Sequence, residues 1–117
     1  MLKEIIIESI SNGGITYDYM NERSVHSGYA VSIYPKCERT VKVLSEKYLI
    51  HFIHENYDLL LITGNCIGIW EHNGYYYLDI TRVVAGVHRA IDLARDYKQI
   101  AIYDLDKKDE ITITYYY

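Results

Sequence analysis

The chain has 117 residues, a net charge of −4, and a composition that is half hydrophobic with a single proline. A chain of this length can bury a core without metal or disulfide support, so we expect one domain over 1–117. The mild acidity argues against a general nucleic-acid binder, which normally carries a basic excess. No apolar stretch approaches about 18 residues and no leader pattern is visible, so neither membrane insertion nor secretion is predicted.

The cysteines and the aromatic residues limit the function further. Cys37 and Cys66 are far apart and form no CxxC pair, which predicts two reduced thiols in a cytoplasmic protein. Fourteen tyrosines accompany one phenylalanine and one tryptophan. Tyrosine combines a large contact area with a hydrogen-bonding tip, so this excess favours a binding surface. Individual tyrosines of this kind also serve as core residues whose hydroxyls reach the surface.

In chain order, residues 1–44 predict a layer that is rich in strands. The β-branched run Ile5-Ile6-Ile7 predicts a strand over Lys3–Ser9, and Ser11–Gly14 predicts a turn. Further strands are expected before Pro35, which cannot donate to a sheet, and after it. Their expected ranges, with a loop at Asn21–Ser27, are Ile15–Met20, Gly28–Tyr34 and Glu38–Val43.

Ser45 is the expected N-cap of a helix that runs to about Tyr57 or slightly beyond. Its apolar stripe comprises Leu49, Phe52, Ile53 and Leu60, interrupted by Asn56, and its polar side comprises Lys47, His51, His54 and Asp58. The two histidines could supply half of a metal site, which Cys37, Cys66 and His72 would complete only if the fold brought them together. A structural zinc site needs four ligands, so we interpret the histidines as solvated and expect no metal.

A second helix is predicted over Gly86–Lys98 from its periodicity. The expected buried stripe is Val87, Ala90, Ile91, Ala94 and Tyr97, and the expected solvent-facing residues are Arg89, Asp92 and Asp96, with Arg95 on the flank. A strand at Ile100–Leu105, a turn at Asp106–Asp109 and a strand at Glu110–Tyr117 follow. The order strand, helix, strand predicts a right-handed crossover with parallel pairing. The chain as a whole predicts an α+β fold with a mixed, mainly antiparallel sheet and two helices.

The segment Cys66–Thr81 predicts a β-hairpin whose register can be assigned. Asn73-Gly74 is the preferred pair for a two-residue type I′ turn. This turn places His72 opposite Tyr75, and the ladder then continues through Glu71/Tyr76, Trp70/Tyr77, Ile69/Leu78, Gly68/Asp79 and Ile67/Ile80. Because side chains alternate along a strand, one face is a core face, with Ile67, Ile69, Tyr76, Leu78, Ile80 and, near the tip, Glu71.

The other face of this hairpin carries the candidate partner-binding residues Trp70, His72, Tyr75, Tyr77 and Asp79. Gly68 leaves a notch opposite Asp79, and an aromatic wall with one carboxylate can hold a base or a cationic side chain. The alternative is that another part of the fold fills the notch.

Patterns typical of catalysis are lacking in this sequence. Asp104–Glu110 resembles a calcium loop but has no glycine at its sixth position and carries two lysines, so we interpret it as a hairpin loop. Neither Asn12-Gly13-Gly14 nor any other segment forms a phosphate-binding loop, and no GxSxG nucleophile motif occurs. A Cys37 or Cys66 nucleophile with a histidine stays open. We expect a protein that is not an enzyme and has no cofactor.

Four segments resemble small uncharacterised proteins of bacteriophages and mobile elements: Gly28–Ser32 (GYAVS), Ile67–Trp70 (IGIW), Tyr77–Ile80 (YLDI) and Gln99–Asp104 (QIAIYD). An AxxLA helix, here Ala90 to Ala94, also fits this pattern. The resemblance covers roughly 28–104 and includes no catalytic motif. It implies a phage or plasmid accessory protein, a class rich in inhibitors of host defence.

Three functional hypotheses follow from the sequence. The first is a non-enzymatic protein-interaction module, such as a phage-encoded inhibitor of a defence system like CRISPR–Cas. The second is a module that sequesters a small molecule or signalling nucleotide, stacking its base on Trp70 and Tyr77 and contacting its phosphates through Arg23, Arg82 or Arg89. The third is a homo-oligomeric component of a mobile element, because an aromatic end such as Tyr115–Tyr117 on an edge strand invites self-pairing.

Overall fold

A computed structural model describes residues 1–113 of the chain. Within these residues the helices are α1 (Leu2–Asn12), α2 (Glu46–Glu55), α3 (Tyr57–Leu60) and α4 (Val87–Asp96). The strands are β1 (Gly14–Asp18), β2 (Arg23–Ser24), β3 (Tyr29–Ser32), β4 (Arg39–Val41), β5 (Asn65–His72), β6 (Tyr75–Val84), β7 (Ala101–Asp104) and β8 (Asp109–Thr112), with a 3₁₀ turn at Pro35–Cys37 before β4. The predicted α+β class is confirmed, although four helices rather than two are present in this part of the chain.

The eight strands form one curled sheet in the order β2-β1-β5-β6-β3-β7-β8, and β4 also pairs with β6. The ten-residue strand β6 is central because it pairs with β5 along one edge and with both β4 and β3 along the other. Every strand pair in residues 1–113 is antiparallel. No helix in those residues combines the length and the apolar character needed to cross a bilayer.

The amino-terminal segment is a helix, so the prediction of a strand over Lys3–Ser9 is wrong. α1 buries Ile5 and Ser9, four residues apart, on the core, and the Ser9 hydroxyl donates to the Ile5 carbonyl at 2.7 Å. Gly13, at φ 76°, caps the helix in the left-handed conformation that favours glycine. Helical burial of one stripe against the sheet outweighs the β preference of the isoleucines.

The segment after β4 follows the predicted helix closely. Ser45 is the N-cap, and its hydroxyl accepts a hydrogen bond from the Tyr48 amide at 3.1 Å. All four residues of the predicted stripe are buried. The helix breaks at Asn56, whose buried side-chain amide donates to the Phe52 carbonyl at 2.9 Å, and α3 continues from Tyr57.

The prediction of parallel pairing across α4 is wrong, because β6 and β7 are not neighbours in the sheet. β6 and β7 both pair antiparallel with β3, so they run in the same direction with β3 between them. On α4 the stripe is correct for Ala90 and Ala94, which are fully buried, whereas Tyr97 is 49% exposed. The predicted last strand is shorter than expected, and Tyr115–Tyr117 lie outside the described residues.

Two apolar clusters share the helix-covered side of the sheet. The first packs α1, α2 and α3 on β1, β5 and β6, and the second packs α4 on β3, β7 and the end of β6. Three hydrogen-bonded polar residues lie at the boundary between the clusters. The Arg82 Nε donates to Asn65 Oδ1 at 2.6 Å, and Asn65 Nδ2 donates to the Tyr34 hydroxyl at 3.2 Å. Tyr34 packs against both clusters. The sheet therefore carries two cores that meet at a hydrogen-bonded seam.

Candidate binding site on the uncovered face of the sheet

The central hairpin has the predicted geometry. All six predicted pairs, from Ile67/Ile80 to His72/Tyr75, are observed, and the ladder continues through Cys66/Thr81 to Asn65/Arg82. Asn73 and Gly74 have φ values of 53° and 82°, as a type I′ turn requires. The Gly74 amide also donates to a carboxylate oxygen of Glu71 at 3.0 Å. This turn fixes which side chains of β5 and β6 face the helices and which face away.

The side chains that face away from the helices form a face on which no helix of residues 1–113 packs, and we call it the uncovered face. In strand register they comprise Thr16, Gly68, Trp70, Tyr77, Asp79 and Thr81 on the first half, and Ser32, Ala30, Tyr103 and Glu110 on the second. Because the sheet curls, this face is concave and encloses a trough of about 520 Å³ that is open to solvent. We use the word trough for this cavity throughout.

One wall of the trough is aromatic. The rings of Trp70 and Tyr77 stack at a centroid distance of 4.4 Å and an interplanar angle of 15°, and His72 lies 6.0 Å from Trp70 toward the hairpin tip. On its other side Trp70 is paired with Gly14, where a Cβ would collide with the Ile69 carbonyl. Trp70 is 45% exposed, so its indole is held by neighbours yet remains accessible.

Asp79 lies next along this face, paired with Gly68. The predicted notch at Gly68 is filled by the Asp79 carboxyl itself, because a Cβ on Gly68 would collide with Asp79 Oδ1. The pKa of Asp79 is raised to about 7, mainly by desolvation and in addition by the Glu38 carboxylate, while a hydrogen bond with Ser32 partly opposes both effects. The trough therefore contains a carboxyl group that is poised to change charge near neutral pH.

Charged residues around Asp79 give the trough an acidic lining. Four carboxyl groups line it against one lysine and one histidine: Glu8, Glu38, Asp79 and Glu110 against Lys108 and His26. At the far wall Tyr103, 41% exposed, is paired with Glu110. Such a lining attracts cations and disfavours phosphate groups.

The structure places all five candidate residues on one face, but in two environments. Trp70, Tyr77 and Asp79 line or adjoin the trough, whereas His72 and Tyr75 lie at the exposed hairpin tip. Sequence reasoning missed Ser32, Glu38, Tyr103 and Glu110, which come from other strands and loops. Only Ser32 had a usable signal, since it alternates with the buried Val31 on a recognised strand.

The other candidate chemistries are placed apart from this site. Burial raises the pKa of the Cys66 thiol to about 12, and desolvation also raises the pKa of Cys37, so neither thiol is activated. His51 is exposed and contacts Glu55 at 3.5 Å. Asp104 accepts hydrogen bonds from the amides of Asp106 and Lys107, which confirms a hairpin loop. Within the described residues no group of three metal-ligating side chains is placed to hold a metal ion.

Comparison of the chain with protein-family models, with curated proteins and with solved structures found no match.

Proposed function

We propose that this protein is a non-enzymatic interaction module whose trough and hairpin tip bind another protein. The observation that carries the proposal is the one-sided construction of the sheet. The helices pack on one face, and the opposite face holds an accessible Trp70/Tyr77 stack beside the half-buried carboxyl of Asp79. Rigid, partly exposed aromatic side chains of this kind dominate the energetics of protein interfaces.

The shape of the uncovered face supports an extended protein segment as the occupant. The trough is open to solvent, and its aromatic wall continues through His72 to the hairpin tip, where Tyr75 is 44% exposed. An elongated segment can contact the trough and the tip at once.

The nucleotide-binding alternative has less support from the geometry. Trp70 already stacks on Tyr77, which occupies one face of its indole. Arg82 faces the helix-covered side and is bonded to Asn65, and Arg89 is on α4. Arg23 is at the β2 edge. The three arginines are thus not gathered around the aromatic wall, and the acidic lining opposes phosphate.

For the class of partner, we propose a bacterial defence protein, inhibited by a phage-encoded binder in a cytoplasmic setting. The support is the resemblance of the segments within 28–104 to phage accessory proteins. Both cysteines are free thiols, which is compatible with a reducing compartment.

Site-specific crosslinking in bacterial extract tests whether the uncovered face is the interface. A photoreactive phenylalanine analogue would replace Tyr75 on the uncovered face or, as a matched control, Ile50 on α2; these side chains are 44% and 43% exposed. We expect a discrete adduct from position 75 only. The partner protein in that adduct would then be identified and purified, and the Kd of its complex with this protein would be measured by calorimetry.

The variant measurements decide the outcome. Trp70→Ala should raise that Kd at least about tenfold, as truncation of an aromatic anchor does, whereas Ile50→Ala should leave it within about twofold. Equal adducts from both positions, or an unchanged Kd for Trp70→Ala, would contradict the proposal.

A further inference from the structure

The Asp79 carboxyl lacks a charge partner among the described residues. None of the ion pairs within 1–113 includes it, and the charged group that acts on its pKa is the repulsive Glu38. Its Ser32 hydrogen bond is an interaction with a neutral hydroxyl. A carboxyl in such a place reduces stability relative to an amide of the same shape, and groups of this kind concentrate at functional sites.

The aromatic wall lies within reach of the same ligand group. Trp70 and Tyr77 are two residues along their strands from Gly68 and Asp79 and share their face. That spacing is about 7 Å, which the stem of a lysine or arginine can span. A cation beside Asp79 can therefore also lie against the ring faces or edges of the wall, where the π-electrons attract it.

From this geometry we infer that the trough recognises a lysine or arginine side chain on an extended segment of the partner protein, with Asp79 as its counter-charge. The inference rests on the proposed function and specifies what the partner presents. The charge balance supports it, because carboxyl groups outnumber cationic residues around the trough. The aliphatic stem would pack on Trp70 while the main chain of the segment continues toward the hairpin tip.

A direct test uses the only tryptophan of the chain, Trp70, which is part of the trough lining. The ¹⁵N-labelled protein would be titrated at pH 8 with four blocked tripeptides, acetyl-Ala-X-Ala-amide, where X is Lys, Arg, Gln or Glu. We expect the Trp70 indole and Gly68 amide signals to shift with the Lys and Arg peptides, at a Kd at least about tenfold lower than for Gln. Comparable shifts with Gln or Glu would overturn the inference.

Two variants separate charge from structure. Asp79→Asn should abolish the preference for Lys and Arg while the protein stays folded, and Glu46→Gln, which removes an exposed carboxylate on α2, should leave it intact. Gly68→Ala keeps the charge but displaces the carboxyl, so it should also weaken the preference. Retention of the full preference in Asp79→Asn would overturn the inference.

The pH dependence gives an independent measurement. At pH 6 only about a tenth of Asp79 is ionised, so the apparent Kd for the Lys peptide should rise about tenfold from its value at pH 8. Glu8, Glu38, Glu110, Lys108 and His26 also face the trough, and His26 is the one histidine among its lining residues. His26→Gln should preserve the pH effect. An effect that disappears in His26→Gln would contradict the role of Asp79.

These outcomes are distinct from those of the crosslinking experiment. If position 75 crosslinks specifically but the peptides show no cation preference, the interaction module stands and the recognition of a basic side chain does not. If the peptides behave as expected but no protein adduct forms, the proposed function fails. Butylammonium binding as tightly as the Lys peptide would show that the site takes a free amine, and would overturn the assignment to a protein segment.

Discussion

The two faces of the central sheet are made by the same strands and have opposite characters. On β6 the helix-facing Leu78 and Ile80 have no exposed area, whereas Tyr77 and Asp79, which alternate with them, face the opposite side of the sheet. Because successive side chains of a strand point to opposite faces, one set of residues packs in the core and stabilises the fold, and the other set is available for binding. A small protein can therefore carry a polar site, including a carboxyl group without a charge partner, on the strands that also build its core.

The largest expected effect comes from neighbouring truncations on β6. Leu78→Ala should lower the free energy of unfolding by about 3 kcal/mol, because it leaves a cavity in the first core. Tyr77→Ala should lower it by only about 1 kcal/mol, since its ring packs on Trp70 beside solvent. Urea denaturation of both variants measures the difference, and equal losses would mean that the two faces contribute alike.

Asp79→Asn should increase stability at pH 8. The folded-state pKa of about 7 lies above the ordinary 3.8, so the folded protein retains a proton that the unfolded chain loses. The stabilising contribution of that protonation is present below about pH 4 and is lost as pH rises to about 7. We expect Asp79→Asn to gain about 2 kcal/mol at pH 8 and to lack this part of the pH dependence. Denaturant midpoints at pH 5 and pH 8 check it; parallel pH profiles would contradict it.

Gly74→Val tests what keeps the two faces distinct. A β-branched residue at φ 82° is strained by roughly 1–3 kcal/mol, and a one-residue slip of the hairpin would exchange the two faces. We expect a lower melting temperature and a changed Trp70 fluorescence maximum. Asn73→Gly, which tolerates the turn, is the control, and an unchanged melting temperature for Gly74→Val would contradict a type I′ turn in solution.

Ser45→Ala should have the smallest effect, and only on the covered face. It removes the hydroxyl that accepts from the Tyr48 amide, which should cost about 1 kcal/mol. Ser45→Asp should retain stability, because a carboxylate can accept the same hydrogen bond. Thermal unfolding measures both, and peptide or partner affinity should be unchanged.

Local signals in the sequence predicted the structure correctly where the turn or cap residues and the apolar pattern indicate the same element. Asn73-Gly74 determined the hairpin register, and Ser45 with its apolar stripe determined the start and the buried side of α2. They failed at α1, where the isoleucine run has a β preference and only packing on the sheet selects a helix. They also failed for the pairing of β7, since the position of β3 between β6 and β7 is a long-range contact.

For the same reason, only the hairpin part of the candidate site could be predicted from the sequence. Trp70, Tyr77 and Asp79 lie on one local hairpin, so alternation placed them on one face. The far wall at Tyr103 and Glu110 depends on the curl of the whole sheet, and the closeness of Glu38 to Asp79 depends on how β4 docks on β6. Neither relation follows from spacing along the chain.

The hydrogen-bonded seam of Arg82, Asn65 and Tyr34 has a consequence for how the molecule opens. Because it separates two apolar clusters, we expect two cooperative folding units with different free energies of local opening, which native-state hydrogen exchange would resolve as two classes of protected amides. The aromatic wall of the trough belongs to the first unit and the Tyr103 wall to the second. A segment bound across the trough would contact both units, so amide hydrogen exchange should slow in both of them when it binds.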